Sequence, residues 1–384
     1  MKIIHICLAN FYIEGMGYQE NILPKIHSQM GNDVLVITSD YSFDKYGKKI
    51  KKTEKEYTNK HNVRVVVLER DISHGIFSKF GLFQNLYNTL EKEMPDIIFV
   101  HGGQFLSLKD IIRYAQKHTV RLYLDQHADY YNTPINNVKS FIVHKTIYKY
   151  WIKRFSKLSQ NIYGVTPWRC TYLQEVYRVN PQKIKLLVMG GDDENIHFGQ
   201  MPQLRNDIRQ QIHISKKDFV VVTGGKIDKT KNIHLLMQAV SEINNENIKL
   251  IVFGQPNDEM QKIIDTYAEN PNIRYLGWIQ SEKTYDYFLA SDLAVFPGTH
   301  SVLWEQACAC GVPCVFKNWE GMHHVDVGGN CVFLHKDSID EIKNVILDLY
   351  NDKDKYNEMK KVAVEKGIKT FSYRDIARRA IELK

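Results

Sequence analysis

Residues 291–316, SDLAVFPGTHSVLWEQACACGVPCVF, constrain the fold more than any other stretch. An apolar run at 293–296 enters a Pro-Gly-Thr-His-Ser loop. A helix follows with Glu305 in its first turns, Gly311 stops it, and a second apolar run at 313–316 begins at once. Ser301 or Thr299 stands where a helix N-cap is needed. A strand–loop–helix–strand unit with buried strands belongs to a doubly wound parallel sheet, whose ligands sit beyond the carboxyl ends of the strands. There the helix N-terminus offers unpaired N–H groups to an anion, and Glu305 offers a carboxylate to two hydroxyls. A diphosphate beside a ribose diol asks for that pairing. Taken alone, an acidic residue in a first helical turn is also what the helix dipole favours.

The rest of the chain repeats the alternation. Apolar strands are expected at residues 3–8, 33–38, 63–68, 96–100, 121–125 and 161–165, with helices between several of them. Gly15 and Gly17 follow the first strand, where the backbone must pass close to a ligand. They lack the third glycine of a dinucleotide fingerprint, which disfavours NAD. Residues 46–62, YGKKIKKTEKEYTNKHN, read as a solvated lysine-rich loop. His127 lies just past the strand at 121–125, where this architecture places functional groups. Residues 139–157 hold six Lys or Arg and no acid. On a helix, Phe141, Tyr148, Trp151, Ile152 and Phe155 share a face beside Lys145, Lys149 and Lys153. That pattern suits adsorption to anionic lipid headgroups, and equally a helix packed on the sheet with a basic outer side.

After Gly190-Gly191-Asp192-Asp193 the pattern turns polar through about residue 217, a domain boundary. The second half reopens with a buried strand at 219–223 running into GGKIDKTKN. Gly224 and Gly225 allow close approach while Lys226 and Lys231 bring cations, a phosphate cradle that does not match the P-loop pattern. Strands at 250–253, ending at Gly254, and at 273–276 follow. Beyond the latter, backbone groups at Trp278 and Ile279 are placed to read the edge of a base. Residues 328–334, GGNCVFL, read as a last strand, with helices to the end.

A chain of 384 residues exceeds one ordinary core, so two domains are expected. A net charge of +7 is compatible with an anionic substrate or membrane surface and falls short of a nucleic-acid footprint. The six cysteines form no C-x-x-C pair and read as buried free thiols. No apolar run is long enough to span a bilayer and no signal peptide precedes the first strand, so the expected location is cytoplasmic, at most peripheral at the inner face of the plasma membrane.

In this order the blocks resemble the large family 4 of retaining glycosyltransferases, glycosyl transferases group 1. VMGGDDENIHF is similar to the family's strand-then-"NGVD…F" junction, with Gly191 and Asp193 at the matching places. GGKIDKTKN resembles its "GR…EKG" loop, with Lys226 where that pattern has arginine. LIVFG, IRYLGWI and DLAVFPG…E…A..GVP match successive blocks, and FSYRDIARRAI resembles the closing helix. The resemblance implies the GT-B fold: two Rossmann-like doubly wound α/β domains facing a central cleft. It gives 1–190 as the acceptor side, 191–365 as the nucleotide-sugar side, and 366–384 as a helix crossing back to the first domain.

It further implies transfer of a sugar, with retention, from a nucleoside diphosphate sugar (UDP favoured) to a hydroxyl of a glycan or lipid-linked acceptor. Surface polysaccharide synthesis is the expected setting, with no cofactor and no metal. His127, Lys226, Lys231 and Glu305 would carry catalysis. Gly15, Gly17, Gly224, Gly225, Gly254, Trp278, Ile279, His300, Ser301 and Val302 would bind the donor. One departure stands out. The family's E-x7-E pattern has a glutamate where this chain has Pro297, leaving His300 and Ser301 as its replacements. A GT-B sugar-nucleotide or glycan-binding subunit with impaired catalysis is the alternative.

Overall fold

The computed structural model describes every residue except 10–11, 44–47, 74–79, 132, 134–137 and 384, and describes residue 139 by its backbone only. Parts of the glycine loop after the first strand and of the lysine-rich loop therefore lie outside the described residues. The chain divides into two compact units, Met1–Val188 with Ala377–Lys384, and Met189–Ile376. Both are parallel-sheet α/β domains.

The first unit contains β1 (Lys2–Cys7), β2 (Asp33–Ser39), β3 (Tyr41–Phe43), β4 (Lys49–Lys51), β5 (Glu56–Thr58), β6 (Arg64–Leu68), β7 (Ile97–His101), β8 (Arg121–Gln126), β9 (Asn161–Gly164) and β10 (Ile184–Leu186). Its main sheet runs β10-β9-β8-β7-β1-β2-β6-β5, parallel except for β5. The lysine-rich loop is thus not wholly irregular. It supplies β4, which pairs with β3, and β5, which extends the sheet edge. Side chains alternate across a strand. Ile4, Ile6, Ile98, Val100, Leu122 and Leu124 therefore enter one apolar cluster with Leu108, Ile112, Ile152 and Phe155 from covering helices. The opposite face carries His5, Phe99, His101, Tyr123, Asp125 and Tyr163, all buried, in register across β1, β7, β8 and β9. The helix Gln19–Gln29 and the C-terminal segment supply partners on this face. The Tyr123 and Tyr163 hydroxyls donate to the carbonyls of Ile381 and Arg379.

The basic segment is helical over Val138–Val143 and Lys149–Leu158, with a π-helical turn, His144–Tyr148, between them. The turn shifts the helix phase, so the aromatic face is not one continuous stripe. Ile152 and Phe155 enter the core, while Val138, Ile142 and Tyr150 stay exposed.

The second unit contains β11 (Phe219–Gly224), β12 (Ile248–Phe253), β13 (Ile273–Tyr275), β14 (Leu293–Phe296), β15 (Cys314–Lys317) and β16 (Cys331–Leu334). They form a wholly parallel sheet in the order β13-β12-β11-β14-β15-β16. In both sheets the strand order reverses beside the first strand of the unit, between β1 and β7 and between β11 and β14. Such switch points open a crevice at the strands' carboxyl ends. The final helix, Tyr373–Ala380, follows a break at extended Ser372, and its residues from Ala377 onward pack with the first unit. All six cysteines are free thiols, four of them buried. Among the described residues no helix is long and apolar enough to cross a membrane.

Candidate functional site

At the switch point of the second unit, the loop after β11 meets the loop after β14. Thr223, Gly224, Lys231, Gly298, Thr299 and Ser301 line a small pocket there. Glycines make the approach possible. A Cβ on Gly298 would lie 2.3–2.4 Å from the Lys231 backbone, and one on Gly254 would lie 1.8 Å from the Gly225 carbonyl oxygen. Gly224 has the same constraint against the Phe253 ring. The Gly225 amide, expected to face a phosphate, donates instead to the Phe253 carbonyl at 3.0 Å. It continues the β11–β12 pairing, so the cradle has one amide fewer than the sequence suggested.

The two lysines of this loop differ. Lys226 is exposed and lies 3.4 Å from Asp228. Lys231 is partly buried and donates to the carbonyls of Thr299 (2.7 Å) and His300 (3.0 Å). An ammonium has three donors, so one N–H remains while the other two fix the loop after β14. Burial, reinforced by Lys226 and opposed by Asp228, lowers its pKa to about 8.

Glu305 sits on the short helix Leu303–Ala309 and is fully buried. Val302, not Ser301 or Thr299, occupies the N-cap position, and no side chain caps the helix. Glu305 Oε1 accepts from His300 Nε2 and His324 Nε2, both at 2.8 Å. Oε2 is buried and has no hydrogen-bond partner among the described residues. Burial alone would raise the pKa of this carboxyl, but His300 and His324 bring it down to about 2. It is a fixed carboxylate with one oxygen spoken for and one open to a donor. His324 was not anticipated. Its only sequence signal is the His323-His324 pair in a short loop between strands.

Gly254, Trp278 and Ile279, also expected to bind the donor, lie at the neighbouring strand ends. Gly254 N donates to Gly277 O at 2.7 Å, which draws the β13 loop toward β12. Trp278 beyond it is 68% exposed, and Ile279 is half-buried.

In the first unit, His127 follows β8, and its Nε2 lies 3.2 Å from Asp125 Oδ1. Asp125 is completely buried. Its Oδ2 accepts from His101 Nδ1 (2.8 Å) and Gln19 Nε2 (3.2 Å). Burial would raise the Asp125 pKa, but His101 and His127 hold it far below the usual carboxylate range. Burial would lower that of His127, but Asp125 raises it above its ordinary value. Gly15, at φ +78, lies in an open stretch of the loop. That loop, with Gly17, leads into the helix whose first residue is Gln19, so it and His127 meet at one sheet edge through Asp125.

Two sets of ligand-type atoms lie within 4.8 Å of one another: His101, Asp125 and His127, and His300, Glu305 and His324. In the first, His101 spends both ring nitrogens on hydrogen bonds. In the second, Glu305 Oε1 is claimed by two ring nitrogens. Both are hydrogen-bond networks as they stand.

The family described as glycosyl transferases group 1 matches residues 205–366, which covers β11–β16 with Lys231, Glu305 and His324. Over those residues the chain is similar to that family. A relative from Campylobacter jejuni, N-acetylgalactosamine-N,N'-diacetylbacillosaminyl-diphospho-undecaprenol 4-alpha-N-acetylgalactosaminyltransferase, is 28% identical over 149 residues, 37% of each chain. The lipopolysaccharide core biosynthesis glycosyltransferase LpsD of Rhizobium meliloti is 26% identical over 106 residues, 27% of this chain and 30% of LpsD. The chain thus spans about a third of the length of these curated relatives. Anabaena HepE, solved in complex with UDP, superposes with a TM-score of 0.72 at 17% identity, over 100% of this chain and 99% of that one. The likeness to GT-B structures therefore extends over the whole chain.

Proposed function

We propose that this protein is a retaining glycosyltransferase that moves a sugar from a nucleoside diphosphate sugar, UDP-linked, to a hydroxyl of a lipid-linked or polysaccharide acceptor. The observation that carries the reading is the unpartnered, buried Oε2 of Glu305, whose carboxylate is bonded by His300 of the loop that Lys231 fixes at the β11/β14 switch point. A fixed carboxylate oxygen accepts from a ribose diol, and the lysines meet the adjoining diphosphate. The activities of the two relatives and the UDP held by the Anabaena protein support the substrate classes.

As the bond to the sugar's anomeric carbon breaks, charge accumulates on the departing diphosphate. Groups already aimed at that charge lower the barrier more than they tighten ground-state binding. Lys231 and Lys226 take this role, so the proposal assigns the charge to lysines and needs no metal. Retention follows when the leaving phosphate guides the acceptor hydroxyl to the same face. His127, held beside Asp125, orients the sugar and places partial positive charge near its ring. With Pro297 in place of the family glutamate, His300 of that loop becomes the candidate contact to the transferred sugar. The exposed Val138, Ile142 and Tyr150 among lysines suit an anionic lipid surface, where a lipid-linked acceptor resides.

Donor hydrolysis tests the chemistry without knowledge of the acceptor. Proton NMR of UDP-hexoses and UDP-N-acetylhexosamines incubated with the protein should show the free sugar appearing first with the donor's anomeric configuration. First appearance of the inverted anomer would exclude retention. Binding of UDP without any turnover in the presence of lipid-linked acceptors would favour the binding-subunit reading, to which Pro297 also points.

A further inference from the structure

Beneath the candidate catalytic histidine runs a line of three buried imidazoles. The Ala377 carbonyl faces His27 Nε2 at 2.9 Å, and His27 Nδ1 faces His5 Nε2 at 3.0 Å. His5 Nδ1 faces His101 Nε2 at 3.0 Å, and His101 Nδ1 faces Asp125 Oδ2 at 2.8 Å. His5 and His27 are wholly buried and His101 almost so. The line begins and ends on acceptors, since a carbonyl cannot donate and a carboxylate does not. Four hydrogen bonds need four protons, and three neutral imidazoles bring three. With only neutral rings, one of the four contacts must set two lone pairs against each other inside a dry core, a costly arrangement.

We propose that His27, His5 and His101 form one buried proton chain that holds a proton beyond the three of its neutral rings, kept on His101 beside Asp125. This proton sets the charge that His127 feels. The three histidines are then positioning residues for His127. The inference stands on the hydrogen-bond inventory and does not depend on glycosyl transfer. Asp125 accepts from Gln19 as well as His101 and also faces His127, a role for the ionised form, so the extra proton belongs on a ring. Burial lowers the pKa of His5 and brings that of His27 to about 4, which leaves His101, next to the carboxylate, as its seat. The other groups facing this region are Cys7 of β1, Glu20 of the helix after the glycine loop, and Arg169 of the helix Pro167–Glu175. Phe99 packs on both His5 and His101.

With the extra proton on His101 the chain has one arrangement: His27 and His5 protonated at Nε2, and His101 at both nitrogens. When base removes the extra proton, the His27 Nε2 proton departs. The His5 Nε2 proton moves to His27 Nδ1, and the His101 Nε2 proton moves to His5 Nδ1. The rings change tautomer together. The bond to Ala377, at the start of the C-terminal segment of the first unit, is the one lost.

Long-range proton–nitrogen NMR on protein labelled with nitrogen-15 in histidine reads each ring directly. At about pH 7 the expected result is His27 and His5 as neutral Nε2–H tautomers and His101 as an imidazolium. Three neutral rings, or Nδ1–H tautomers at His27 and His5, would overturn the chain. His101→Asn keeps a donor toward Asp125 without the charge. It should raise the His127 pKa by about one unit, a shift that a packing role would not produce. An unmoved His127 titration would overturn the coupling. If this variant does not fold, the wild-type spectrum still decides the proton inventory.

Discussion

The site rests on a few side chains whose charge is set by what surrounds them. Lys231 has the clearest consequence. Its pKa near 8 means that the free protein disfavours the ammonium, and a bound diphosphate restores it. UDP binding at pH 8 should therefore take up about half a proton, and affinity should fall as the pH rises above that value. Calorimetry in buffers of different ionisation enthalpy measures the uptake. Lys231→Arg, charged throughout, should abolish it; the same uptake in both proteins would remove Lys231 from the phosphate site. His127 belongs to the other unit and to another step. His127→Ala should cut turnover by about 100-fold and leave the UDP dissociation constant within a factor of about two. Equal loss of both would make it a nucleotide-binding residue. Glu305, Lys231 and His127 were each legible in the sequence because each stands at a fixed offset from an apolar strand. His324 and the histidine chain were not, since their meaning comes from partners as much as 96 residues away, as between His5 and His101. The trace they leave is a polar residue inside a buried strand: His5 in IIHIC, His101 closing IIFVH.

At the scale of elements, the strands were readable because each is a short β-branched run bounded by glycine or polar loops. The boundaries shifted by one to three residues, as with β12, which begins at Ile248, and β16, which begins at Cys331. The π turn at His144–Tyr148 left no trace in the periodicity, and β4 and β5 were hidden in a run of lysines because edge strands tolerate charge. Gly298 is the element-level test. Its Cβ would meet backbone, which cannot swing aside, so Gly298→Ala should destabilise the second unit by about 1–3 kcal/mol and weaken UDP binding by parting the two loops. An unchanged melting temperature and affinity would mean that the loops need not touch. The helix Lys149–Leu158 and the turn before it predict a second outcome. Co-sedimentation with vesicles containing anionic lipid should be salt-sensitive and should fall when Lys145, Lys149 and Lys153 are changed together to Ala. Indifference to vesicles at low salt would remove the membrane from the account.

For the whole molecule, the alternation of strand and helix foretold two parallel-sheet domains. The order of strands, β13-β12-β11-β14-β15-β16, follows from right-handed crossovers on either side of the first strand. Contact between non-adjacent segments fixes where each unit ends. The first closes at Val188 and reclaims the chain from Ala377, a return point later than the 366 suggested by the closing motif. The central claim is that the second unit holds the nucleotide at its switch point through Glu305. Titration of UDP, with GDP and ADP alongside, into the wild-type protein and Glu305→Ala tests it most directly. The account predicts micromolar binding of UDP in preference to the other two, weakened about 10- to 100-fold in the variant through loss of a charged acceptor for the ribose hydroxyls. UDP binding that is indifferent to Glu305, or no binding of any of the three, would contradict it.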